Sequence, residues 1–81
     1  MQQQQIKDLV PLSDVGESVC VFINGINGSP KLQVKLFSLG LGIGSAVEIL
    51  RNRKGDVVLA RGHNRISLGH DVASKLLVTA Q

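Results

Sequence analysis

His63, His70 and Asp71 form the only close grouping of possible metal ligands in this 81-residue sequence. A ferrous site of the histidine–carboxylate type needs at least three converging ligands. Between the two histidines, Ile66-Ser67-Leu68 reads as extended chain and would have to turn back for them to meet. Two exposed turn histidines are the simpler reading, so no metal site is assigned. Cys20 is the single cysteine and has no C-x-x-C partner. It alternates with Val19 and Val21 and reads as a small buried hydrophobe. The acids Asp8, Asp14, Glu17, Glu48, Asp56 and Asp71 fall mostly in turns and exposed positions. No Ser/His/Asp or Cys/His set is recognisable by spacing, so no enzyme is expected. The run Gly40-Leu41-Gly42-Ile43-Gly44-Ser45 invites a phosphate-loop reading. That motif needs Gly-Lys-Ser/Thr opening a helix, whereas here Gly44-Ser45 opens a strand. No cofactor is expected.

Composition narrows the partners. The chain is 43% hydrophobic and 19% charged, with a net charge of +3, which suits one small globular domain. Two phenylalanines and no tyrosine or tryptophan make a base-stacking surface hard to build, so nucleic acid is not an expected partner. No apolar run approaches the roughly 20 residues that cross a bilayer, and Met1-Gln2-Gln3-Gln4-Gln5 lacks the cationic start of a secretory signal. A cytoplasmic location without membrane insertion is expected. Residues 1–8 read as a flexible N-terminal tail and 9–81 as a single domain. A domain of this size buries only about 60% of its unfolded surface, which favours added contacts from a partner or a homo-oligomer.

The elements follow from local chemistry. Leu9-Val10-Pro11-Leu12 reads as extended chain, because Pro11 forbids a helix interior. Ser13 to Glu17 has turn chemistry. Ser18 to Ile23 alternates Val19, Val21 and Ile23 against Cys20 and Phe22, a strand with two apolar faces, one filling a barrel interior and the other lying under a helix or loop. Asn24-Gly25 and Asn27-Gly28 mark its exit loop.

Ser29-Pro30 then starts a helix over about 30–39, serine capping a free N–H and proline tolerating the first position. Leu32, Leu36 and Leu39 form its buried stripe, widened by Val34 and Phe37. Gly40 closes it with a left-handed backbone. Ala46–Arg53 and Asp56–Arg61 form a hairpin around Lys54-Gly55, in a register that faces Glu48 with Arg61 and Leu50 with Leu59. Ile66–Leu68 is a short strand, about 70–75 a short helical turn, and Leu76–Thr79 a last strand. This order fits a mostly β fold: a small SH3-like, five-stranded, partly open barrel with an inserted helix.

The order and spacing of several short motifs resemble the FeoA family, small cytosolic proteins of bacterial ferrous-iron uptake. They are Leu12-Ser13, Gly16-Glu17, Leu36-Phe37-Ser38-Leu39-Gly40-Leu41, Gly44-Ser45, Gly55-Asp56, Ser67-Leu68 and Ala73. The likeness spans about residues 9–79 and implies an SH3-like barrel. It also implies a non-enzymatic accessory role in contact with FeoB, the membrane permease with a cytosolic GTP-binding domain. Ile43, Val57 and Gly69 depart from the family pattern, which usually has proline, proline and arginine there. Two alternatives stand beside this reading: a regulatory domain like the C-terminal domain of DtxR-type iron-dependent repressors, and a self-assembling structural unit. The expected docking residues are Leu36, Phe37, Leu39 and Leu41 around the helix and glycine crossing. Arg51, Arg53 and Lys54 at the hairpin tip suit an acidic protein surface.

Overall fold

The computed structural model describes residues 9–80, and the tail expected at 1–8 lies outside them. Among the described residues, six strands make one antiparallel sheet: β1 (Val10–Pro11), β2 (Cys20–Ile26), β3 (Ala46–Arg53), β4 (Asp56–Arg61), β5 (Asn64–Leu68) and β6 (Leu76–Ala80). Their order is β1-β6-β2-β3-β4-β5. Helix α1 (Pro30–Ser38) joins β2 to β3, and a single turn, α2 (His70–Ala73), joins β5 to β6. The partly open barrel thus has one strand more than its alternating segments announce, because Val10 and Pro11 pair with Val78 and Leu77.

Inward-facing residues supply the core: Val21 and Ile23, Val47 and Ile49, Val57 and Leu59, Leu68, Leu76 and Val78. Leu12, in a 3-10 turn over Leu12–Asp14, and Ala73 of α2 are also fully buried. Each large aliphatic side chain so placed contributes about 1.5–3 kcal/mol relative to exposure.

Two bulges correct what was expected, one the register of the hairpin and the other the end of β2. On β3, Ile49 opposes Leu59 and Arg51 opposes Val58, so Leu50 is the extra residue. Glu48 therefore faces Ala60 and not Arg61, and Leu50 does not face Leu59. Strict alternation after Val47 and Ile49 would turn Arg51 into the core. The bulge turns it outward and brings Asn52 inward. On β2, Asn24 is the extra residue between Ile23 opposite Val78 and Gly25 opposite Leu77, and its Oδ1 accepts from Thr79 Oγ1 at 2.7 Å. A bulge absorbs the Asn24-Gly25 pair, so the strand continues where a loop was expected.

The outer face of β2 is also uncovered. Cys20 is an exposed free thiol and Phe22 is 37% exposed, which corrects the buried-thiol reading. Alternation identifies the face a residue shares but not whether anything lies over it.

Candidate interaction site

Helix α1 begins and ends as its sequence dictates. Ser29 Oγ accepts from the Leu32 N–H at 3.2 Å, with Pro30 in the first turn. At the other end Gly40 has φ +84°, Gly40 N–H donates to Phe37 O, and Leu41 N–H donates to Leu36 O, both at 2.9 Å. This paired closure satisfies two of the helix's last carbonyls and draws Leu41 onto Leu36. Both leucines are consequently core residues, at 0% and 1% exposure. Their side chains are taken up by the core, which leaves little of either for a partner to touch.

The crossing that follows is tied down from several sides. Gly40 O accepts from Ser45 Oγ and from Arg61 Nε. A cation there also complements the negative end of the helix dipole. Gly44 N–H donates to Ile23 O at 2.7 Å, and Ile23 N–H donates to Ser45 O at 2.9 Å, joining the crossing to β2.

Two apolar flanks of α1 result. Leu32 and Leu36 turn toward the barrel, while Leu39 is 42% exposed. Val34 and Phe37 do not widen the buried face; they are 66% and 74% exposed. With Ile43, 70% exposed, and Ile26, Gln33 and Gly42, they line an open groove of about 440 Å³. Gly42 forms part of its floor because a Cβ there would stand 2.9 Å from Phe37 Cδ1. Three large apolar side chains clustered in water beside a helix are a feature of interaction surfaces. Val34 and Ile43 were missing from the expected docking set. Their signal was a second apolar pair, Val34 and Phe37 at i and i+3, on a helix already supplied with a core stripe.

The other expected residues lie apart from this groove. Arg51 and Arg53 are exposed on β3, and Lys54 forms the turn to β4 with φ +56°. The histidines do not converge. His70 packs over Gly55 at the start of β4, and its N–H donates to Asp56 Oδ1 at 2.8 Å. His63 is exposed in the turn beyond the end of β4. A six-residue strand separates them by about 20 Å, too far to share an ion. Asp71 Oδ1 lies 3.9 Å from His70 Nδ1. Among the described residues no group of three or more His, Cys, Asp or Glu side chains could hold a metal, and no polar or charged side chain is buried.

A small antiparallel barrel with an inserted helix defines an SH3-like domain, and an open apolar groove lies beside that helix. The FeoA domain family matches residues 10–80, and the chain belongs to that family. It is 29% identical over 70 residues to an Fe(2+) transport protein A of Methanocaldococcus jannaschii, covering 86% of this chain and 85% of that protein. It is similar to the crystal structure of an iron uptake regulatory protein (FeoA), with 27% identity, a TM-score of 0.84, and coverage of 91% of this chain and 100% of that one. A manganese-dependent transcriptional repressor shares the fold at a TM-score of 0.83 and 18% identity. There the likeness covers 98% of this chain but 45% of the repressor.

Proposed function

We propose that this chain is a non-enzymatic accessory of ferrous-iron uptake that acts in the cytoplasm by binding the cytosolic GTP-binding region of a FeoB-type permease. Family membership supports the iron-uptake context. The observation that carries the contact reading is the Phe37–Val34–Ile43 groove, where an aromatic 74% exposed stands ready to be covered. Covering an aromatic anchor typically supplies a few kcal/mol of binding energy, and each 1.4 kcal/mol is tenfold in affinity.

The test is calorimetric titration of the full chain with the purified cytosolic region of the permease from the same genome. Phe37→Asp is expected to weaken binding by about thirtyfold or more. Because Phe37 lies outside the core, its far-ultraviolet circular dichroism should stay unchanged. Undiminished binding by the variant removes the groove as the contact, and absence of binding by the unaltered chain removes the permease as the partner.

A further inference from the structure

The two ends of the sheet differ in how they meet their surroundings. At one, β1 is two residues long and contains Pro11, both devices that blunt an edge. At the other, β5 runs for five residues without proline and pairs only with β4.

The β4–β5 register says which backbone groups remain. Arg61 and Asn64 close a two-residue turn in which Gly62 has φ +61°, and the register continues through Leu59 opposite Ile66 and Val57 opposite Leu68. In an antiparallel pair, hydrogen-bonded and non-hydrogen-bonded pairs alternate. Asn64, Ile66 and Leu68 therefore bond to β4, whereas the N–H and C=O groups of Arg65 and Ser67 point away from it. Among the described residues no backbone partner takes up these four groups.

Beside this edge lies a second cavity, of about 230 Å³, between Leu32 and Leu36 of α1, Leu39 just past its end, and Ser67, Leu68 and Val72. A cavity of about 150 Å³ already accommodates benzene, so one aliphatic or aromatic side chain fits. Lys35 is the one charged side chain among the residues that line it. α1 also has Lys31 and β5 has Arg65, while α2 adds the exposed Asp71 beside Val72.

We propose that the edge of β5 accepts an extended segment of a partner protein as a seventh strand, with an Asp or Glu opposite Arg65 and an adjacent apolar side chain in the cavity between α1 and β5. The pleat imposes that alternation. A residue paired with Arg65 shares its outward face, so the next residue along the added strand points inward beside Ile66 and Leu68. The four unpaired backbone groups supply affinity, and the two side-chain positions supply selectivity. A second copy of this chain suits the edge poorly. Joining two β5 strands would bring Arg65 and Lys35 of each copy beside the same cations of the other. This surface lies on the opposite flank of α1 from the Phe37 groove and does not depend on the permease as partner.

The experiment titrates the ¹⁵N-labelled full chain with the peptide acetyl-Thr-Leu-Glu-Leu-Thr-amide and with a counterpart carrying Lys for Glu. The acidic peptide should slow hydrogen exchange at the Arg65 and Ser67 amides and bind about fivefold more tightly than the basic one, the size expected for one cross-strand charge pair. Ser67→Pro removes one outward N–H without touching the β4 ladder and should abolish binding. Arg65→Glu leaves the edge intact and should invert the preference toward the lysine peptide, which keeps the test decisive if the proline variant fails to fold. Equal binding of both peptides, binding of neither, protection centred on Phe37, or no inversion in Arg65→Glu would each overturn the proposal.

Discussion

At one end of β4 the turn Lys54–Gly55 is locked on every side, and at the other the turn at Gly62–His63 stands clear. Gly55 is buried beneath the His70 ring, and its N–H donates to Asn52 Oδ1 at 2.8 Å. Asn52 Nδ2 in turn donates to Ser13 O at 2.9 Å and Val15 O at 2.7 Å, while the Asn52 N–H donates to Glu17 Oε2 at 2.8 Å. The next residue, Asp56, accepts from the first N–H of α2. Gly62 shares the left-handed backbone, with φ +61° against +93° for Gly55, but a Cβ built there meets nothing within 4 Å. One glycine is required by backbone and by space, the other by backbone alone. The locked turn fastens the 3-10 segment, the hairpin and α2 to one another, while the clear turn only reverses the chain.

Substitution separates the two demands. Gly55→Ala is expected to cost the most, about 3 kcal/mol in urea unfolding, because the left-handed backbone is strained and the new Cβ overlaps His70. Adding His70→Ala should recover the overlap but not the backbone part. Asn52→Ala should cost about 2 kcal/mol, since it strands the carbonyls of Ser13 and Val15 in a half-buried place. At roughly 4–8 °C per kcal/mol for a domain of this size, its melting temperature should fall by about 8–16 °C. Gly62→Ala should cost about 1 kcal/mol, the backbone part alone. If Gly62→Ala proved as damaging as Gly55→Ala, the contrast between the turns would be wrong.

The sequence made the place of the Lys54–Gly55 turn readable and hid how firmly it is held. Lys54-Gly55 marks a hairpin by residue type, and Ser29-Pro30 and Gly40 mark the ends of α1, because those signals act within a few residues. The bulge at Leu50 has no such local signature. It arises because Ile49 must face the core while Arg51 must not, a conflict settled only when β4 and the Ser13–Glu17 segment are in place. The docking surface was half legible for a related reason. Leu36 and Phe37 are both large and apolar, and only the position of the barrel decides that Leu36 is covered and Phe37 is not. Cys20 shows the same limit, its strand correctly expected and its covering layer absent.

The pairing of Val10 with Val78 has a consequence for how the domain is carried. Its first and last strands lie side by side, so the described chain starts and finishes on the same side of the sheet, with α2 leading from the β5 edge back to β6. A longer polypeptide could hold the unit by that side, as on a stalk, with the Phe37 groove and the far rim left unencumbered.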